Sequence, residues 1–273
     1  MSNFDIKRFA RVALWQSRMS LKNALSYAAG MSFGFLCPFI GWIYPYLKGA
    51  ELGGIERFLH TVSMCSLVYL IIFIISGTWI FADMKTKEAR TTVKLLPATD
   101  LEKYIVRLLG VTIGTLALGI VSFFMADIVR IVVCLITGVD YVAFGLPYFI
   151  QMIFTDTEFA EGVCLGSGNP PAVNFTAFGW VVWAQSLYVL GGTLLRRYQF
   201  VITTTVHVLL FIALSVIVVY GNGDVEAAVM NEGFAPAFYA AGAVLMAVAA
   251  VNWWLSYRTF SRMQVINNKW INL

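Results

Sequence analysis

An all-α integral membrane protein with six transmembrane helices is the fold class this sequence predicts, and three observations predict it. Apolar residues make up 59% of the 273 residues and charged residues only 12%, about half the charge that covers a soluble domain. Apolar runs of roughly 20 residues, enough to cross a hydrocarbon core of about 30 Å, recur six times. The cations fall on alternate connections between those runs. The first observation alone excludes an ordinary soluble enzyme, a disordered chain and a secreted disulfide scaffold. The four Cys (Cys37, Cys65, Cys134, Cys164) show no spacing suited to a metal or a redox pair.

The predicted spans cover residues 24–47, 61–81, 106–137, 175–195, 200–220 and 235–257. The first carries Pro38 and Pro45. The third is over-long, and only Asp127 and Arg130 interrupt its apolar run. Charge gives the orientation. Residues 1–22, 82–107 and 258–273 and the Arg196–Arg197 turn hold every Lys and Arg except Lys48, Arg57 and Arg130. The opposite connections carry Glu51, Glu56, Asp140, Asp156, Glu158, Glu161, Asp224, Glu226 and Glu232 instead. Positive connections stay cytoplasmic, so both termini are expected inside, as an even number of spans requires. The net charge of +4 thus follows membrane sidedness, and no nucleic-acid partner is expected. No cleavable signal peptide is read in the first 22 residues, which are basic and amphipathic.

Three regions are more than simple spans. Residues 3–18 pattern as an N-terminal amphipathic helix lying in the membrane interface, with Lys7, Arg8, Arg11 and Arg18 in one sector and Ile6, Phe9, Ala10, Ala13 and Leu14 opposite. A basic flank that only fixes orientation is the plainer alternative. In the cytoplasmic loop 82–105, Thr99 with Glu102 forms a capping box after Pro97, so a helix is expected to begin at Asp100. Continued to Thr137 it runs to about 57 Å, longer than the hydrocarbon core. The outer segment 139–174 is rich in turn formers, GLP at Gly145 and GSGNPP at Gly166, and its apolar stretch 148–154 is expected to form a short interfacial or re-entrant helix.

Ionisable groups inside spans are functional suspects, because lipid burial costs at least about 2.5 kcal/mol each. Asp127 and Arg130, three apart, either line a pathway or pair with each other on one helix face. His207, beside Thr203, Thr204 and Thr205, either lines a cavity or is hydrogen-bonded between helices. Gln185 and Asn252 read as interhelical glue. The pairs Gly30/Gly34 and Gly110/Gly114 permit close helix approach. The chain has no P-loop, nucleophile elbow or zincin motif, and His60 and His207 are too far apart for ligand spacing. No metal site, cofactor or catalytic constellation is therefore expected in this chain.

Together, the six spans, the inside termini, the basic helix before span one and the sizeable loop between spans two and three resemble the membrane subunit of a type-2 ATP-binding-cassette (ABC) exporter. Locally, LLPATDLEKYIVRLL from Leu95 to Leu109 is similar to an "LPAS-LEK" phrase that precedes the third span in bacterial permease-like membrane proteins. The chain departs from the family in placing its longer outer segment between spans three and four instead of five and six. The resemblance implies a permease of the bacterial inner membrane, paired with a second copy or a sister permease. It also implies a separate ATPase subunit that binds ATP and Mg. By position, the coupling elements would be the basic helix (Lys7, Arg8, Arg11) and the loop around Pro97, Asp100, Glu102 and Lys103. The competing class is a non-transport membrane protein, such as a regulatory, immunity or accessory subunit. It is supported by the scarcity of polar residues in the spans, which equally suits export of hydrophobic cargo.

Overall fold

Backbone hydrogen bonds cannot be met by lipid, so a chain this apolar satisfies them along helices. The computed structural model describes residues 4–49, 54–84, 86–138, 143–154, 170–195, 198–222 and 235–263, and among them there is no β-strand element. Six helices are long and apolar enough to cross a membrane. In chain order the elements are α1 (Ile6–Leu47), α2 (Gly54–Ser76) with a 3-10 continuation (Gly77–Met84), α3 (Lys87–Leu95), α4 (Asp100–Leu109), a π-helical turn (Gly110–Gly114) and α5 (Thr115–Thr137). Then follow α6 (Leu146–Phe154), α7 (Pro170–Leu194), α8 (Gln199–Asn222) and α9 (Ala235–Arg262). The Arg196–Arg197 turn, residues 155–169 of the outer segment and the acids Glu51, Asp140, Asp156, Glu158, Glu161, Asp224, Glu226 and Glu232 lie outside the described residues.

The amphipathic segment and the first apolar run, residues 3–18 and 24–47 in the sequence, are both helical and lie on one continuous 42-residue helix from Ile6 to Leu47. Between Arg18 and Ala24 no Pro or Gly breaks the ladder, so propagation, which adds one bond per residue, continues. The expected helix start at Asp100 is found. Thr99 and Glu102 make both halves of the capping box, and the helix continues 38 residues to Thr137. It ends at Gly138, whose positive φ of 73° gives the left-handed cap that glycine favours. Helix α3 was not anticipated. Thr86 caps it by accepting the Ala89 N–H, and the backbone N–H of Glu88 with the Thr86 hydroxyl holds the Glu88 carboxyl below its ordinary range. The Pro170–Pro171 pair, read as a turn, instead opens α7, where missing N–H groups cost nothing. The apolar stretch at 148–154 is helical as expected, within α6.

The chain forms two compact units. One comprises Met1–Arg18, Phe73–Ile113 and Ala160–Leu273. In it α7 packs on α9, on α8 and on the 3-10 turn, and Ile80, Phe81, Tyr104, Val189 and Phe260 form a core against which Trp15 leans. The other comprises Met19–Ile72 and Gly114–Phe159. Its centre is aromatic: Phe123 and Phe149 stack at 4.0 Å, and Phe35 meets both edge-on at 5.7 Å. Such ring pairs add about 0.5–1.5 kcal/mol each beyond the area they bury.

Close helix approach falls on glycines other than those singled out by spacing. Among the described residues, a Cβ on Gly30, Gly34 or Gly110 would meet nothing within 4 Å, so these residues bring none of the described helices close. Instead Gly77 lies against Gln185 and Val189 on α7, where a Cβ would sit 2.7–2.8 Å from backbone atoms, and Gly179 lies against Gly242 on α9. The 3-10 turn at Gly77 fits there because the hydroxyls of Ser76 and Thr78 bond back to Phe73 and Ile75, competing with the α ladder. Gly77→Val is expected to cost about 1–3 kcal/mol through overpacking. Gly30→Val is expected to change stability by less than about 0.5 kcal/mol. Thermal unfolding in detergent, followed by Trp fluorescence, checks the contrast.

Candidate functional site

The coupling candidates converge on the start of α4, where they split into internal and external groups. Glu102 is fully buried and works twice. Its Oε2 accepts the Thr99 N–H at 2.9 Å, while its own N–H donates to Thr99 Oγ1 at 3.2 Å, closing the capping box. The same carboxylate then takes Arg8 from α1 in a fork: Nε to Oε2 at 2.8 Å and Nη2 to Oε1 at 2.7 Å. The Asp5 N–H adds a fourth donor at 3.0 Å. A buried carboxylate is stable only with its lone pairs engaged, and here the capping box and α1 supply the donors together.

Around this node the other charges are also engaged. Lys94 reaches both Asp100 oxygens at 3.3 Å, donates to the Phe260 carbonyl at 3.3 Å and lies over the Phe260 ring. Lys103 is buried, and its Nζ donates at 3.1 Å to the Lys94 carbonyl at the end of α3, the kind of C-terminal contact that cations favour. Arg107 holds Asp83 bidentately, with Nη2 2.9 Å from Oδ2. It also donates to the Ile80 carbonyl and lies over the Phe81 ring. Gln16 adds a bond to the same Asp83 carboxylate.

Helix α4 therefore turns its polar face inward. Glu102, Lys103 and Arg107 are buried, while Leu101 and Leu109 are exposed. Lys7, Arg11 and Pro97 are exposed, and neither cation makes an ion pair among the described residues. Beside Pro97, Leu95 is 76% exposed at the α3–α4 turn. Of the sequence candidates, Arg8, Glu102, Lys103 and Asp100 hold the cluster together, and Lys7, Arg11 and Pro97 are free to meet something else. Sequence reading missed Asp83, Gln16 and Arg107. The spacing of Lys103 and Arg107, one turn apart, was a usable signal.

The intramembrane candidates are placed as follows. Asp127 and Arg130 pair with each other, with Nη2 2.7 Å from Oδ1, and both side chains are fully buried. Asp127 Oδ2 accepts the Gly145 N–H at 2.8 Å, and Arg130 donates to the Ala143 carbonyl. The guanidinium lies over the rings of Phe39 and Phe58, 5.4 and 4.8 Å from their centroids. A Cβ at Gly145 would sit 3.1 Å from the Asp127 carboxylate, so glycine admits the contact. The pair thus fastens the entry to α6 and is committed to structure. Gln185 acts as interhelical glue: with Ser76 it donates to the Val111 carbonyl at the π turn. Asn252 does the same with Ser186. His207 departs from the expectation of an interhelical hydrogen bond. Its Nδ1 is buried with no partner among the described residues, and its neighbours are the rings of Trp180, Trp183 and Tyr188.

Comparison with protein-family models, with curated proteins and with solved structures finds no match.

Breaking a buried ion pair on one side leaves a bare charge, at about 3–5 kcal/mol. Arg130→Met is therefore expected to destabilise the protein by that amount. Asp127→Asn with Arg130→Met keeps an acceptor for Gly145 and removes both charges, so it is expected to recover most of the loss. Thermal melts of the three proteins in one detergent check this. A double variant no better than Arg130→Met alone would contradict the structural role.

Proposed function

We propose that this chain is the membrane-spanning permease subunit of a type-2 ABC exporter of the bacterial inner membrane, driven by a separate ATPase subunit that binds ATP and Mg. The observation that carries the reading is the Arg8–Glu102 fork, 2.7 Å between Nη2 and Oε1. It ties the first turns of α1 to the start of α4, the two elements that position alone marked as coupling elements. Tied together they move as one body, and that body presents Lys7, Arg11, Leu95 and Pro97 to the cytoplasm. An ATPase with a carboxylate-rich rim around an apolar pocket would engage both kinds of group. A second permease, a copy of this chain or a sister, completes the transporter.

A second reading, a non-transport regulatory or accessory subunit, is favoured by one observation. Asp127, Arg130 and Gln185 are consumed by structural bonds, leaving few polar groups for a solute pathway. The permease reading meets this with hydrophobic cargo.

Affinity purification of the tagged chain in mild detergent, with mass spectrometry and an ATPase assay, separates the two. The permease reading expects a stoichiometric P-loop ATPase with vanadate-sensitive activity. It further expects Lys7→Glu with Arg11→Glu to reduce the recovered ATPase about tenfold or more, since like charges placed at an interface cost several kcal/mol. Purification without an ATPase, under conditions that keep a control transporter intact, would support the second reading.

A further inference from the structure

Arg8, Lys94, Arg107 and Arg130 are each paired with an acid of this chain. The C-terminal end of α9 differs. Arg258 and Arg262, one turn apart, are exposed, and among the described residues neither side chain makes an ion pair or a hydrogen bond. Residues 235–273 contain no Asp or Glu, so no carboxylate of their own segment can come to them.

Their side of the helix is continuous with an apolar stripe. At 100° per residue, Val244, Val248 and Val251 share one sector of about 120° with Trp254, Arg258 and Arg262. All six are exposed, whereas the buried residues Ala249, Ser256 and Phe260 fall in the opposite sector. From Val244 to Arg258 the stripe rises about 21 Å, so its valines face the hydrocarbon and its arginines reach the level of the headgroups.

Arg258 does not reach outward to water. A cation at the end of a span ordinarily extends its stem away from the hydrocarbon. The Arg258 guanidinium instead lies over the Trp254 ring, 5.3 Å from its centroid, one turn back toward the span. The indole covers one face of the guanidinium and leaves its planar fork of N–H donors to the outside. Such a fork matches a phosphate, and Arg262 offers a second one turn farther out. The sign of the whole headgroup follows from the missing acids. The ammonium of a zwitterionic head would meet two cations and no carboxylate from α9, while a head of net negative charge meets attraction alone.

We propose that this face of α9 binds an anionic phospholipid of the surrounding bilayer. Arg258 and Arg262 take the phosphodiester, Trp254 holds the Arg258 guanidinium at headgroup depth, and the acyl chains lie along Val251, Val248 and Val244. The site is independent of the permease reading, since binding requires neither an ATPase nor transport.

The test titrates the full chain in mild detergent with phosphatidylglycerol and, separately, with phosphatidylcholine of the same acyl chains. Native mass spectrometry reads the bound lipid. The first phosphatidylglycerol is expected to bind about tenfold or more tighter than the first phosphatidylcholine, as two cations beside an anionic head imply. Arg258→Gln with Arg262→Gln should bring the two lipids within about twofold of each other, and Trp254→Leu should lower the preference about threefold. Lys7→Gln with Arg11→Gln, which removes the same charge from α1, should leave the preference unchanged. Equal affinity of the wild-type chain for the two lipids would overturn the proposal. So would a preference that survives in the Arg258 and Arg262 variant, or one lost as fully in the Lys7 and Arg11 variant, which would make it a matter of net charge. A wild-type chain found only as a dimer without bound phosphatidylglycerol would overturn it too, a second copy then covering the face.

Discussion

The buried carboxylate of Glu102 is the constraint on which the charged end of this protein depends. A helix that must both begin cleanly and enter a bilayer has an awkward first turn. Its N–H groups need acceptors, yet acids that supply them carry charge toward lipid. Glu102 meets both demands by closing the capping box on Thr99 and handing its remaining lone pairs to Arg8 and the Asp5 amide. Because the polar face of α4 then points inward, Leu101 and Leu109 point outward, the reverse of a soluble amphipathic helix. Lys103, Arg107, Asp83 and Lys94 extend the inward face into a network reaching α3, the 3-10 turn and the end of α9.

The same rule governs Asp127 and Arg130. Each charge is cancelled by the other, and every further bond they make goes to the backbone that opens α6 or to aromatic faces. An ionisable pair in a span is often read as part of a route for solute. Here the geometry leaves its carboxylate no free oxygen, so its work is to hold a short helix against its aromatic neighbours. His207 is the counter-example. It is polar and lies in a span, and its Nδ1 is buried with no partner among the described residues, packed among the rings of Trp180, Trp183 and Tyr188.

Much of this was legible in the sequence wherever the cause is local. Six apolar runs gave six spanning helices, Thr99 and Glu102 gave the start of α4, and the three-residue spacing of Asp127 and Arg130 gave their pairing. Features set by distant residues were not legible. The partner of Glu102 lies 94 residues away, and nothing in the pattern around Arg8 distinguishes it from Lys7 or Arg11, which stay exposed. Glycine spacing misled for the same reason: Gly77 and Gly179 matter because of what packs against them, whereas the spaced pair at Gly30 and Gly34 meets nothing among the described residues. The change of polarity between the basic segment and the first span does not by itself say whether the helix breaks there, and the backbone runs on without a break from Ile6 to Leu47.

On the proposed permease reading, a chain moved by a partner needs a stiff handle more than it needs reactive groups, and the Glu102 network would supply one. Amide hydrogen exchange compared between the wild-type chain and Glu102→Gln in detergent tests this most directly. If Glu102 is the tie, exchange in residues 5–12 and in residues 99–103 rises together, by about tenfold or more as a charge-assisted bond of about 1.5–3 kcal/mol is lost. Meanwhile α7 and α9 keep their protection. A rise confined to residues 99–103, with the first turns of α1 unchanged, would contradict the account.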